Sequence, residues 1–343
     1  MIGVGGARRA LALLLKALLA GVVLLVLILG AFRLRGAVHE REEAHEAAPR
    51  TGRFVRAGDV ELFLQEEGQQ QDPAVVFVHG TGAWSETWRP ALGAVSAAGF
   101  RGIAVDLPPF GYSGRPEAPR YGKEDQARRL LGALDSLGLD QVVVVGHSFG
   151  AGATVELALL APGRVRALIL VDAALSITPE EGSAAKPGFL VTGCLSFRPL
   201  RNALVATFLS NPGSTARLLR SFVADPGAVT PERVAVYQRP LVVKGTTEAF
   251  SAWLPALIAP KESAPSESPR TYPHLAMPIF LVWGERDSVT PLAQGERIRG
   301  LVPHGELEVV PGVGHIPQLE APAAFNAVLV RLLLKLRDEA RAS

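Results

Sequence analysis

Residues 141–160 read QVVVVGHSFGAGATVELALL, and the change of character inside this stretch decides the fold class. The valines at 142–145 are apolar at every position, the pattern of a strand covered on both faces. From residue 149 the chain turns to small apolar residues that suit a helix packed close to that strand. Between the two lies Gly146-x-Ser148-x-Gly150. A strand-to-helix turn this tight holds Ser148 in an unfavourable backbone conformation with its hydroxyl thrust outward. Glycines two residues to either side remove the side chains that would collide with strand and helix. The helix that follows aims its positive N-terminal end at the serine.

Working outward, the same alternation recurs. Apolar strands are expected at AVVFVHG (74–80), RGIAVDLP (101–108), VRALILVDAA (165–174), PIFLVWGERD (278–287) and ELEVVPGVGH (306–315). Residues 53–66 read as a hairpin turning at Ala57-Gly58-Asp59. Helices are expected at 90–99, at 123–138 with Leu130, Leu131, Leu134 and Leu137 on one face, and at 321–338. Near-continuous apolar strands separated by helices predict an α/β fold: a mostly parallel, doubly wound sheet. The core is expected over 52–174 and 273–338, with a helical, Pro/Gly-punctuated insert at 175–272.

Composition narrows the function classes. Among 343 residues, 35 Lys and Arg stand against 33 Asp and Glu, a balance that argues against a nucleic-acid partner. The single cysteine, Cys194, cannot form an intrachain disulfide and reads as a small apolar residue. Neither HExxH nor CxxC spacing occurs, so no metal site is expected.

The amino terminus is of another kind. Residues 10–32, ALALLLKALLAGVVLLVLILGAF, carry one charge, Lys16. At about 1.5 Å per residue they give roughly 34 Å of helix, enough for a hydrocarbon core of about 30 Å. The expectation is a single-pass membrane anchor over 1–35, with a lipid bilayer as its partner and a charged spacer over 36–51. A cleaved signal peptide is the competing reading, but Leu29-Gly30-Ala31 lacks small residues at both cleavage positions. Basic residues flank both ends, and the reading adopted places the amino terminus inside and the bulk outside.

A serine nucleophile needs a base and an acid that orients it. His39 and His45 fall in the spacer, and His147 adjoins Ser148 and is expected to point away from it. His79 precedes Gly80, where the neighbouring backbone matters more than the ring; His274 lies at the edge of the insert and His304 in a Pro-His-Gly turn. His315 follows the last strand, at the carboxyl edge where open α/β sheets bind ligands, and is the expected base. Asp287 and Asp172 both close strands. The chain order Ser148, Asp287, His315 favours Asp287, with Asp172 its rival, and Asp106 reads as a carboxylate ordering the loop DLPPFGYSGRP. Gly150-Ala151-Gly152 with Asp172 twenty residues on imitates a dinucleotide fingerprint, but Val155 stands where its third glycine belongs, and no cofactor is expected.

Four stretches, FVHGTGAW (77–84), DLPPFGYS (106–113), GHSFGAG (146–152), and WGERD with GVGHIPQLEAP (283–287, 312–322), occur in the order of the α/β-hydrolase superfamily. From about 52 to 338 the chain resembles its serine-nucleophile, esterase/lipase-like group. The resemblance implies oxyanion donors at the backbone of Thr81 and Phe149, with Gly82 as the second choice in its loop. It also implies that the insert is a cap over the site. The chain departs from two relatives of that superfamily: aspartate-nucleophile enzymes need Asp in place of Ser148, and carbon–carbon bond hydrolases usually carry a Gly-Pro-Gly-like run where Gly82-Ala83-Trp84 stands. Apolar cap residues such as Phe189, Leu190, Phe208, Leu209, Phe222, Trp253 and Leu254 individually read as packing within the cap, and together with the anchor they suit a lipid-like or other small-molecule hydrophobic ester. The expected activity is therefore carboxylic ester hydrolysis through an acyl-enzyme. The alternatives are a carbon–carbon bond hydrolase or perhydrolase of the same fold, and a catalytically inactive binding protein.

Overall fold

The computed structural model describes residues 4–177, 188, 193, 195–258, 264–303 and 305–342. Phe189, Leu190, Cys194 and His304 lie outside these residues. Eight strands form one sheet: β1 (Gly52–Ala57), β2 (Val60–Glu67), β3 (Ala74–Val78), β4 (Arg101–Val105), β5 (Val142–His147), β6 (Val165–Val171), β7 (Ile279–Gly284) and β8 (Glu306–Val310), in the order β1-β2-β4-β3-β5-β6-β7-β8. The β1–β2 hairpin turns through Gly58 at φ 68°, and β2 is antiparallel to β4. Every pairing from β4 through β8 is parallel. The reversal of strand order between β4 and β5 puts β3 in the centre, so the loops after β3 and β5 open side by side at the carboxyl edge, where a doubly wound sheet places its ligand.

The helices that matter for the site are, in chain order, α1 (Val4–His39), α2 (Ala44–Ala47), α3 (Arg89–Ala97), α4 (Lys123–Ser136), α5 (Phe149–Leu160), α6 (Arg198–Phe208), α7 (Pro212–Arg220), α8 (Pro231–Gln238), α9 (Thr246–Ile258), α10 (Leu292–Leu301), α11 (Pro317–Glu320) and α12 (Pro322–Ala342). Side chains alternate across a strand, and both faces of this sheet are covered. Val76, Val78, Val144 and Leu170 pack with Leu130 of α4, Ala151 of α5 and Ile298 of α10. Val75, Phe77, Val145 and Ile169 pack with Leu92 of α3 and with Phe325 and Leu329 of α12. That double burial is why the strands are apolar at successive positions rather than at alternate ones.

The chain between β6 and β7 supplies α6 to α9, whose inner residues meet the sheet's carboxyl edge. Phe110 and Phe149 from the core cluster with Val205, Leu241, Phe250 and Trp253.

The amino-terminal helix runs unbroken through residues 29–31. The most apolar 18-residue window of its stretch Leu11–His39 has a mean hydropathy of 2.9, and none of that window is buried. Its carboxyl end packs on the insert, where a Cβ on Gly36 would touch Ala206 of α6. The charged residues beyond it are folded against the same surface. Glu40 accepts from the Thr247 N–H at 3.0 Å and from its hydroxyl, Glu42 forms a parallel bridge with Val243, and Glu43 pairs with Lys244 at 2.6 Å.

Candidate active site

Ser148 sits between β5 and α5 at φ 50°, ψ −120°, a backbone region that L side chains rarely occupy. The turn closes only because its flanks are bare. A Cβ on Gly146 would come within 2.6 Å of the Thr154 hydroxyl, and one on Gly150 within 2.4 Å of the His79 carbonyl oxygen. Ser148 donates its N–H to the Val171 carbonyl at 3.0 Å, fixing the turn to β6.

Three side chains from three loops meet here. Ser148 Oγ lies 2.8 Å from His315 Nε2, and His315 Nδ1 lies 2.7 Å from Asp287 Oδ2. All three residues are buried. Asp287 Oδ2 also accepts from the Thr290 hydroxyl at 2.6 Å, and Oδ1 accepts from the N–H groups of Val289 at 2.7 Å and Thr290 at 3.0 Å. Burial by itself raises a carboxyl, but the hydrogen bonds from His315 and Thr290 and the charge of His315 outweigh it and hold Asp287 at about 2. A hydroxyl, an imidazole and an ionised carboxylate in this order can move a proton off the hydroxyl and stabilise the imidazolium that forms.

The rival carboxyl is not remote. Asp172, fully buried at the end of β6, accepts from the Gly284 N–H at 2.8 Å through Oδ1. Burial and the neighbouring Asp287 push its carboxyl well above the ordinary carboxylate value. Asp172, Asp287 and His315 offer ligand atoms within 4.8 Å of one another. The hydrogen bond between His315 Nδ1 and Asp287 accounts for two of the three, with Asp172 as a neighbouring acid.

The loop after β3 carries Thr81 and Gly82, and Phe149 opens α5 after β5. Thr81, Gly82 and Phe149 line the cavity into which Ser148 opens, and Gly82 has φ 72°. Among the described residues, the N–H groups of Thr81 and Phe149 donate to nothing, which leaves two donors beside the serine free for a developing oxyanion. Asp106 accepts from the Ser85 N–H at 2.6 Å and the Tyr112 N–H at 2.8 Å, a loop-ordering role.

Two histidines do more than the sequence suggested. The Leu107 N–H donates to His79 Nε2 at 2.8 Å, so Nδ1 carries the proton and donates to the Gly80 carbonyl at 2.8 Å, tying the β3 loop to the β4 loop. His147 Nε2 donates to the His315 backbone carbonyl at 2.8 Å. Burial, joined for His147 by repulsion from His315, pushes the rings down to about 4 for His79 and about 3 for His147, so both are neutral props. Glu320 carries no motif of its own in the sequence. Its carboxylate accepts from the N–H groups of Gly314 at 2.8 Å, Asp225 at 2.7 Å and Ala224 at 3.2 Å, and His315 donates its own N–H to the Phe222 carbonyl at 2.7 Å. His315 is thereby clamped to the insert. The only sequence signal was an acid five residues beyond His315, which points nowhere until the insert is folded.

The cavity over Ser148 measures about 250 Å³. Its walls include Leu209, Leu218, Phe222, Phe250, Trp253 and Leu257 from the insert. Among its described lining residues there is no lysine or arginine. Phe208, one of the apolar residues of the insert, is 53% exposed and lies outside this lining.

Comparison with known proteins agrees with this architecture. The family described as alpha/beta hydrolase fold matches residues 73–322. A 2-hydroxy-6-oxo-2,4-heptadienoate hydrolase of Pseudomonas putida is 30% identical over 280 residues, covering 80% of this chain and 93% of that protein. A meta-cleavage product hydrolase from Pseudomonas fluorescens superposes with a TM-score of 0.66 at 24% identity, covering 84% of this chain and 98% of that one. A membrane phospholipase A superposes with a TM-score of 0.64 at 20% identity, covering 96% and 99%. The first relative's named substrate has a ketone and a carboxylate but no ester, so its hydrolysis must break a carbon–carbon bond. That activity matches the alternative raised from the sequence better than the ester cleavage placed first. With its central parallel sheet, its serine turn and the family match across most of its length, this chain belongs to the α/β-hydrolase fold family.

Proposed function

We propose that this protein is a membrane-anchored serine hydrolase that cleaves an apolar acyl substrate through an acyl-enzyme on Ser148. The observation that carries the reading is the Ser148–His315–Asp287 chain opening into an apolar cavity. His315 Nε2 takes the Ser148 proton as Oγ attacks the carbonyl carbon. The N–H groups of Thr81 and Phe149 meet the oxyanion, and Asp287 stabilises the imidazolium. Collapse of the tetrahedral species expels the leaving group, which takes the proton back from His315. Water, deprotonated by the same ring, then attacks the acyl-enzyme and releases the acid and Ser148. No step calls for a metal or an organic cofactor.

An ester is the substrate class that the cavity favours. The Pseudomonas putida relative supports carbon–carbon cleavage as the second reading, and the same two half-reactions serve a ketone if the departing carbon is protonated. A dienoate, however, brings a carboxylate. Burying that charge without a fixed cation costs several kcal/mol, and the described lining residues include no lysine or arginine. The anchor reading is supported by α1, which is long and apolar enough to cross a bilayer and continues into the fold instead of ending at residues 29–31. We place the catalytic part outside; the basic side chains are balanced about the apolar run of α1, three on each side, and the amino terminus adds one positive charge before it.

The test is a panel of p-nitrophenyl esters from acetate to decanoate run beside a 2-hydroxy-6-oxo-dienoate. Medium-chain esters are expected to give the highest kcat/KM. A dienoate turned over faster than every ester would replace the ester reading with the carbon–carbon one. Ser148→Ala is expected to abolish covalent labelling by a fluorophosphonate and to lower turnover by about 10⁴ or more. Undiminished turnover in that variant would remove the mechanism altogether.

A further inference from the structure

Asp172 is a second buried carboxyl beside the one that holds His315, and the mechanism above gives it no task. Its environment is one-sided. Its N–H donates to the Val282 carbonyl at 3.0 Å and its Oδ1 accepts from Gly284, but Oδ2 is buried and accepts from no donor among the described residues. No cation pairs with it there. The charged groups that face it are Asp287, from the loop after β7, and Glu320, from α11, both negative. His315 is the one group nearby that can become positive, and its ring nitrogen is engaged by Asp287.

Two carboxyls this close in a dry site cannot both ionise, so the proton settles on the one whose anion is less well held. Asp287 accepts four hydrogen bonds, one of them from the imidazole. Asp172 accepts one. A protonated Oδ2 on Asp172 also resolves its own orphaned position, because a hydroxyl there donates to the adjacent Asp287 carboxylate.

We propose that Asp172 is a positioning residue, a neutral carboxylic acid that donates from Oδ2 to Asp287 and so fixes the carboxylate that orients His315. The inference rests on the reading of Ser148, His315 and Asp287 as the working relay. It gives Asp172 two effects. The added donor holds the Asp287 carboxylate in the plane that meets Nδ1, and it keeps Asp287 a weak base, so the imidazole proton stays on the ring. Burial and the Asp287 charge, which raise the Asp172 carboxyl, agree with the geometry. Asp172 also has φ 42°, a backbone conformation that asparagine tolerates well, so Asp172→Asn is expected to fold.

The experiment follows the rate of fluorophosphonate labelling of Ser148 against pH in the full-length protein and in Asp172→Asn. This readout needs no knowledge of the substrate, and its acid limb reports protonation of His315. If Asp172 is neutral, Asn replaces one uncharged donor by another, so the limb stays within about 0.3 pH unit and the rate within about tenfold of wild type. If Asp172 is ionised, the substitution removes a negative charge from beside the imidazole, and the limb falls by about one unit or more. That shift overturns the proposal. Asp172→Ala, which has no donor, is expected to label about 10- to 100-fold more slowly than the Asn variant. Equal rates for folded Ala and Asn variants would overturn it as well. Should the Ala variant fail to fold by circular dichroism, the acid limb of Asp172→Asn decides alone. Labelling that survives in Ser148→Ala would instead overturn the underlying relay, a result separable from both.

Discussion

Replacing Asp287 by asparagine should cost about 10⁴ in kcat without unfolding the protein, and the hydrogen-bond pattern says why. The Val289 and Thr290 N–H groups donate to Oδ1 and would hold the amide oxygen of the new side chain there. The amide nitrogen then takes the position of Oδ2, 2.7 Å from His315 Nδ1. Two N–H donors cannot face one another, so the ring must turn its lone pair to Asn and carry its proton on Nε2. That proton points at Ser148 Oγ, 2.8 Å away, and the base can no longer accept. A factor of 10⁴ is about 5 kcal/mol of transition-state stabilisation. The assay is kcat on the best ester of the panel, with fluorophosphonate labelling in parallel and circular dichroism to check folding. If Asp287→Asn stays within tenfold of wild type while Asp172→Asn is crippled, the acid has been assigned to the wrong strand end.

Three further outcomes follow from the structure. The folded-state value of Asp287, about 2, lies below that of an unfolded aspartate, so its contribution is present above pH 4 and is lost as pH falls towards 2. The stability difference between wild type and Asp287→Asn in urea should therefore narrow by about 2 kcal/mol between pH 5 and pH 2, and a constant difference would contradict the depressed value. Asp106→Ala leaves the buried Ser85 and Tyr112 N–H groups without an acceptor and should cost about 2–4 kcal/mol in urea unfolding; a cost below about 1 kcal/mol would mean that the loop finds other partners. A chain truncated to begin at Gly36 should be released from membranes and remain active, whereas one beginning at Arg50 loses the Glu40 contacts to Thr247 and should melt several degrees lower, about 2–4 °C per kcal/mol removed. Equal melting temperatures would show that residues 36–49 contribute nothing to the fold, and full-length protein recovered uncleaved without detergent would argue against the anchor.

The sequence by itself determined the sheet and the serine turn, because both are governed by local rules. Consecutive apolar residues such as the valines at 142–145 signal a strand buried on both faces, and Gly146 and Gly150 mark a turn that only bare backbone can close. It also brought His315 forward, since a histidine just past the last strand of such a sheet must lie at the carboxyl edge. Chain order already favours Asp287 over Asp172, and tertiary structure decided what meets each of them. Asp287 accepts from Val289 and Thr290 of its own loop and from His315, whereas Asp172 accepts only from Gly284, brought to it from another strand. Likewise, Glu320 becomes a clamp only once the segment 222–225 has been brought back over it, and the charged residues after α1 become a packed strap only because Thr247 and Lys244 arrive beside them. Strand and turn preferences act over a few neighbouring residues, while the groups that set the Asp172 proton, Gly284 and Asp287, arrive from more than a hundred residues along the chain.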